Sequence, residues 1–242
     1  DNGCIGFRAC RGAGSFSGKV SIDTNSCKGR SACVSAGVRG SVVIGKNSCD
    51  GSSVCDSLAG KGKATVGDNS CVGEDACAYA ADDSGNISIG SNSCRGEDAC
   101  YYAVYDGGNA VIGDNSCNGV TACEYIGELN GKATVGANSC AGKAACEKVG
   151  KSGGDASIGN DSCTGENSCS SLAGKSGFIA QVGVGSCQCK DCCTCLSTQS
   201  KVYIGNGDCN KLQSTPTDPQ CCIDATTIGA LDTVSIEIHC LL

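Results

Sequence analysis

Small aliphatic residues recur in pairs two positions apart along most of the chain, as in Val42 with Ile44 and Ile87 with Ile89. Alternate side chains of a β-strand point to the same face of a sheet, so each pair predicts a short strand with one buried face. The residue between the two aliphatics varies among Ser, Val and Thr, as expected of an outward position. A glycine follows each pair, and this density of glycine excludes the helical alternative.

The strands belong to a repeat with the pattern Gly-x-Asn-Ser-Cys-x-Gly-x-x-Ala-Cys, which returns every 22 to 24 residues. A fixed period of this length is typical of a solenoid with one coil per repeat. The Asn of the pattern, as in Asn47 and Asn115, is replaced by Asp161 in one repeat. Because Asn tolerates left-handed backbone and can hydrogen-bond to its equivalents in neighbouring coils, we expect an Asn ladder at one corner.

We therefore predict an all-β fold, a disulfide-stapled parallel β-solenoid (β-helix) of about ten coils of 22–24 residues, with a cysteine-rich C-terminal module. The solenoid is expected to cover residues 1–200. Residues 201–242 are expected to form a capping or assembly module, with strands at 202–204 and 234–240 around a loop that contains Pro216 and Pro219.

Composition makes disulfides a main source of stability. The chain has 25 Cys and 37 Gly but no Trp, no Met and three Phe, too few large apolar side chains for an ordinary core. So many cysteines predict an oxidising compartment. Two cysteines recur six residues apart in every repeat, and we favour bonds within a coil. Bonds between neighbouring coils are the alternative, because equivalent residues of stacked coils lie only about 4.8 Å apart. The predicted pairs are Cys4–Cys10, Cys27–Cys33, Cys49–Cys55, Cys71–Cys77, Cys94–Cys100, Cys117–Cys123, Cys140–Cys146, Cys163–Cys169 and Cys187–Cys193.

The run Asn-Ser-Cys-x-Gly-x-x-Ala-Cys, repeated from residue 1 to about 195, resembles the cysteine-rich solenoid repeats of secreted and cell-surface proteins in diatoms, brown algae and other stramenopiles. The resemblance implies an extracellular β-solenoid and makes an algal surface filament or flagellar hair a candidate. The cysteine spacing is also similar to that of small insect antifreeze solenoids. This chain lacks their Thr-x-Thr rows, so no ice-binding residue is carried over.

Cysteines crowd together between Cys187 and Cys195. The six-residue spacing occurs twice there, so a second pair, Cys189–Cys195, is predicted beside the regular one. Such runs also chelate soft metals, as in metallothioneins, but the regular pairs before this cluster favour disulfides, and neither a metal site nor a cofactor is predicted. Five cysteines then remain, an odd number, so one is expected to stay free, bind something or join another chain. They are Cys192, Cys209, Cys221, Cys222 and Cys240.

Two outward features repeat on only a few coils. Tyr79, Tyr102 and Tyr125 occupy the same position, two residues after the second cysteine, and predict either a local stacking ladder or a contact surface for a subunit or a glycan. Two acidic pairs, at 74–75 and 97–98, are expected to stack on two successive coils. They are interpreted as a solvated face, with a cation site or an acid–base pair as the alternatives. The lone His239 is interpreted as an ordinary strand residue, and no catalytic residue is predicted.

The predicted function is therefore structural rather than enzymatic. The chain opens directly in a repeat, without a capping segment, and an uncovered coil end leaves backbone groups unpaired. We expect the first coil of one copy to stack on the terminal module of the next, giving a head-to-tail homo-oligomer that a disulfide could also join. The alternatives are a monomeric cell-surface solenoid that binds a glycan or ice, and a β-helix enzyme acting on polysaccharides.

The sequence also supports predictions about cellular location, glycosylation and nucleic-acid binding. The chain has no initiator Met and no run of about 18 apolar residues, so we expect a processed, secreted or cell-surface protein without a membrane span. Asn86 and Asn160 match the N-glycosylation pattern, and Asn160 is expected to be the less accessible of the two. The net charge of −7 is expected to be spread thinly, which argues against nucleic-acid binding.

Overall fold

A computed structural model describes residues 3–81, 84–104, 107–173, 175–194 and 201–207, and the backbone of 236–238. Ten short strands form one parallel sheet in which each strand pairs with the next in chain order. The described residues also contain two single-turn 3-10 helices, Ser15–Ser17 and Lys151–Gly153. The strands are β1 Lys19–Ile22, β2 Ser41–Ile44, β3 Lys63–Val66, β4 Asn86–Ile89, β5 Asn109–Ile112, β6 Lys132–Val135, β7 Asp155–Ile158, β8 Ile179–Val182, β9 Lys201–Ile204 and β10 Ile236–Ile238.

The predicted β-solenoid is confirmed. Equivalent residues of successive coils face each other across the sheet, so that Val42 pairs with Ala64 and Ile44 with Val66. The second and fourth residues of β2 to β7 are buried and the third is exposed, as the aliphatic pairs predicted. Within the described ranges, no helix is long and apolar enough to cross a membrane.

The number of coils is slightly lower than the ten predicted. The described chain completes eight turns between β1 and β9, and β10 then lies beside β9 after a longer connection. The sheet also continues in register across residue 200, because Ala180 pairs with Val202 and Val182 with Ile204. Most of the predicted C-terminal module, including Cys209, Cys221, Cys222, His239 and Cys240, lies outside the described residues.

The predicted Asn corner is present and lies next to a buried serine ladder that the pattern did not reveal. Asn47 donates from its amide to the Asn69 side chain (3.2 Å), and both residues have left-handed backbone. The following Ser is fully buried in eight successive coils. Ser48 Oγ donates to the Gly67 carbonyl of the next coil (2.7 Å) and accepts the Ser70 N–H (3.1 Å). The ladder therefore satisfies polar groups in the middle of a thin core.

Nine disulfides join the cysteines within single coils, as predicted, with Cα–Cα distances of 5.6–6.0 Å. The second pair predicted in the C-terminal cluster is wrong, because Cys189 bonds to Cys192 instead of Cys195. The short loop between Cys187 and Cys193 brings Cys189 and Cys192 to a Cα–Cα distance of 5.4 Å, within the usual range for a disulfide. Cys195 lies outside the described residues.

Glycine is required where coils touch through their backbones. A Cβ at Gly62 would overlap the carbonyl oxygen of Gly85 in the next coil. We expect Gly62→Ala to lower the free energy of unfolding by about 3 kcal/mol, since the coils would have to separate at that point. Gly177→Ala is a stringent control, because its Cβ would meet nothing within 4 Å although its φ is +79°. That change should cost only about 1 kcal/mol.

Thermal and guanidinium unfolding, followed by circular dichroism with the disulfides intact, compares the two variants. An equal decrease in the free energy of unfolding of both variants would show that the close contact between coils is not the reason for glycine at residue 62.

Candidate functional site

The main candidate site is a row of tyrosine rings on three successive coils, here called the tyrosine stack (Tyr79, Tyr102 and Tyr125). The centroids are 5.2 Å apart between Tyr79 and Tyr102 and 5.5 Å apart between Tyr102 and Tyr125, and the planes differ by 9° and 6°. The spacing follows the coil repeat, since equivalent side chains of paired strands lie about 5 Å apart. Tyr101 packs edge-on against Tyr102, with centroids 4.1 Å apart. All four rings are partly exposed.

Carboxylates lie beside the tyrosine stack in neighbouring rows, on coils of the stack and on the coil before it. We call Asp56, Glu74, Asp75, Glu97 and Asp98 the carboxylate edge. Burial raises the pKa of Asp98, and the charges of Asp75, Glu97 and Glu74 raise it further. Burial also raises the pKa of Asp56, with a smaller contribution from Asp75. These carboxylates therefore repel one another on a partly buried surface.

The hydroxyl groups of the tyrosines lie within this negative field. Burial, followed by the charge of Glu124 and a hydrogen bond to it, raises the pKa of Tyr125 to about 12. Burial, a hydrogen bond with Tyr102 and the nearby charges, including that of Asp75, raise the pKa of Tyr101. Tyr101 and Tyr125 are therefore neutral phenols at physiological pH.

One end of the tyrosine stack carries an ammonium group from the chain itself. Lys151 Nζ lies 4.4 Å from the centroid of the Tyr125 ring. The same nitrogen is 3.4 Å from Glu128 Oε2, a buried oxygen without a hydrogen-bond partner in the described structure. An aromatic face and a carboxylate thus hold one cation together.

A second candidate surface is the end face of the first coil (residues 3–22). Val20 and Ile22 are only half-buried, whereas their equivalents in β2, Val42 and Ile44, are 1% exposed. The N–H groups of Gly29, Ser31 and Ser35 donate to the preceding coil at 2.8–2.9 Å. Their equivalents in the first coil have no hydrogen-bond acceptor among the described residues, and they belong to Gly6, Arg8 and Gly12. Among the described residues, this face therefore presents backbone donors and aliphatic side chains of the kind that the next coil uses to contact its neighbour.

The charge is unevenly distributed, so the expectation of a thinly spread charge was wrong. Residues 3–49 hold seven of the 18 basic residues and a single acidic one, Asp23, although the whole chain has a net charge of −7. The basic residues of this segment are Arg8, Arg11, Lys19, Lys28, Arg30, Arg39 and Lys46. The end of the solenoid that starts with β1 is therefore basic, and the remainder is acidic.

Both predicted glycosylation residues are exposed, including Asn160, for which the lower accessibility was expected. Asn86 accepts the Lys63 N–H (3.1 Å) and donates to the Asn109 side chain (2.9 Å). Asn160 accepts the Ala137 N–H (2.9 Å). Each amide oxygen therefore joins two coils, while the side chain remains at the surface.

Sulfur atoms of neighbouring coils also come close together, for example those of Cys33, Cys49 and Cys55, which lie within 4.8 Å of one another. All three belong to disulfides within single coils. The same holds for Cys187, Cys189, Cys192 and Cys193 of the C-terminal cluster, for which metal chelation was the alternative. Disulfide sulfurs are not the thiolates that bind soft metals.

These features define the class of protein as a disulfide-bonded parallel β-solenoid with a repeat-encoded surface. Residues 43–132 match a domain of unknown function, DUF7640, and this range contains the whole tyrosine stack and the carboxylate edge. No curated protein and no solved structure matches the chain.

Because the pKa of Asp98 is raised, removing its charge should increase the free energy of unfolding at neutral pH but not at low pH. A carboxyl group with a raised folded-state pKa destabilises the fold when ionised, so the cost of Asp98 develops as pH rises above its unfolded pKa of about 3.9. Asp98→Asn should therefore raise the free energy of unfolding at pH 7 by up to about 1 kcal/mol. This difference in stability should disappear near pH 3, where Asp98 is protonated and therefore neutral, like the Asn that replaces it.

Unfolding curves at the two pH values test this, with Asp50→Asn, an exposed carboxylate outside the cluster, as the control. A loss of stability in Asp98→Asn at pH 7 would contradict the prediction that the ionised carboxylate destabilises the fold.

Proposed function

We propose that this protein is an extracellular structural protein, a subunit of a head-to-tail filament or surface matrix. The observation that carries the proposal is the end face of the first coil. There β1 pairs with β2 on one side and with no described strand on the other. An unpaired parallel edge above a half-buried aliphatic core favours the addition of another coil.

A second copy of the chain is the partner that such a face fits best. Each coil already stacks on a near-identical neighbour, with the same strand register and the same inter-coil hydrogen bonds. The opposite end carries β10, which pairs with β9 alone among the described strands. A contact between two different ends of the same molecule does not close on itself, so it propagates into a fibre.

Charge supports the same orientation. The first end is basic, whereas residues 201–242 contain five acidic and two basic residues. Opposite charges in the first coils and in the C-terminal segment favour contact between these two parts of different copies and disfavour head-to-head contact.

The cysteines support an extracellular location and add a means of joining copies. Ten disulfides in the described chain call for an oxidising compartment. The total of 25 cysteines is odd, so at least one has no partner within this chain. A bond from that cysteine to the next copy would make the assembly permanent. The cysteines without a described partner are Cys195, Cys209, Cys221, Cys222 and Cys240.

Electron microscopy and sedimentation of the oxidised protein test assembly, and we expect fibres whose diffraction shows an axial repeat of about 4.8 Å. Val20→Lys should abolish them, because stacking would bury its ammonium group in the core. Val43→Lys is the matched control, since Val43 points outward from β2 and is 50% exposed. Higher salt should slow the assembly of the unchanged protein.

Circular dichroism and mapping of the Cys27–Cys33 bond establish that Val20→Lys remains folded. A short monodisperse rod at high concentration, for the unchanged and fully oxidised protein, would contradict the filament. The monomeric binding solenoid, supported by the exposed tyrosine stack, would then replace it.

The glycosylation sites give a separate test of secretion. We expect an N-linked glycan on Asn86 in protein from its native source, because the side chain is exposed at the start of β4 within an Asn-Ile-Ser sequence. Enzymatic deglycosylation should lower the intact mass, and Asn86→Gln should remove that difference unless Asn160 is also modified. An unchanged mass for the native protein would contradict this expectation.

A further inference from the structure

The tyrosine stack and the carboxylate edge lie together on the coils that contain β3 to β6. Tyr79 donates its N–H to the Asp56 carbonyl of the preceding coil (2.8 Å), which places the two rows side by side. Asp75 is close enough to Tyr101 for its charge to act on the phenol, and Asp98 acts in the same way on Glu124. The row of aromatic rings therefore lies beside rows of carboxylates.

Lys151 shows which chemistry this combination holds. Its ammonium group lies over the Tyr125 ring and beside the Glu128 carboxylate, at the end of the stack towards β7. A ring face attracts a cation through its quadrupole, and a carboxylate adds charge and a hydrogen-bond acceptor. The folded chain thus already places one primary amine at the aromatic row.

Among the described residues, Lys151 over Tyr125 is the only cation placed over a ring of the tyrosine stack. The ion pairs found among the described residues are Lys148–Glu147, Lys151–Glu128 and Lys190–Glu166. None of them includes a member of the carboxylate edge. Five carboxylates that repel one another, next to partly exposed rings, make this surface attractive to cations from outside.

We propose that the tyrosine stack and the carboxylate edge form a binding site for linear polyamines. A polyamine carries several ammonium groups along a flexible apolar chain. It can place these groups beside the carboxylates of successive coils while its methylene segments lie against the exposed edges of the rings, whose faces are stacked on one another. The repeat of about 4.8 Å between coils presents carboxylates and rings at regular intervals along such a ligand. A divalent metal ion would gain nothing from the rings and requires converging oxygen ligands. The inference is independent of filament formation.

Isothermal titration calorimetry of the intact oxidised chain with spermine tests the proposal. We expect saturable binding that weakens with salt and that falls by about tenfold or more in Tyr102→Leu. Tyr102→Phe should retain most of the affinity, because the ring is kept. The double variant Asp75→Asn with Asp98→Asn should also lose affinity, which separates the roles of the rings and the charges.

Two matched controls lie elsewhere on the solenoid. Tyr203→Leu removes a partly exposed ring from β9, and Asp50→Asn removes an exposed carboxylate from another row, so neither should change the affinity. Circular dichroism establishes that each variant is folded. Absence of spermine binding, or equal affinity in Tyr102→Leu and the unchanged protein, would overturn the proposal. Displacement of spermine by an equal concentration of Ca²⁺ would overturn it as well, in favour of a metal site.

Discussion

The stacking of coils at strand spacing is the constraint on which the rest of the structure depends. Hydrogen bonds between equivalent residues run along the strands and also around the corners, as in Cys49 N–H to Ser70 and Asn69 N–H to Lys46. The coils can approach this closely only where side chains are absent, so Gly62 and its equivalents lie directly against the next backbone. Every other feature of the coil has to fit within that separation.

Such tight corners require backbone that most residues avoid. Over one repeat length, from Asn86 to Gly108, six described non-glycine residues have φ between 51° and 64°, including Cys94, Cys100 and Tyr102. Each left-handed residue costs about 1 kcal/mol or more, and the core that opposes this cost consists mainly of Ala, Val and Ile. A disulfide that closes a short loop contributes on the order of 2–3 kcal/mol, largely by restricting the unfolded chain. The disulfides therefore compensate for a thin core at the places where the backbone is least favourable.

Stacking also explains the form of the two candidate sites, of which one is a row of side chains along the stack and the other is the end face of the first coil. One position in the repeat produces a buried serine ladder, and another produces three parallel tyrosine rings, because equivalent residues in successive coils lie at strand spacing. A solenoid has two different ends. Here the first end is basic, and its inward aliphatic residues Val20 and Ile22 are only half-buried. The tyrosine stack lies on the flank of the solenoid, so the proposed binding there and the proposed assembly at the ends use different surfaces.

The sequence by itself determined what depends on neighbouring residues in the repeat: the strands, the outward and inward positions, the Asn corners and the nine six-residue disulfides. Its period also placed Tyr79, Tyr102 and Tyr125 in one row. Only the tertiary structure decided which groups meet between rows. It bonded Cys189 to Cys192, directed the serines of the buried ladder to glycine carbonyls of the next coil, and brought Lys151 over Tyr125 beside Glu128. The physical reason is that a period defines neighbours along the stack, whereas contacts across it depend on how the left-handed corners turn the chain.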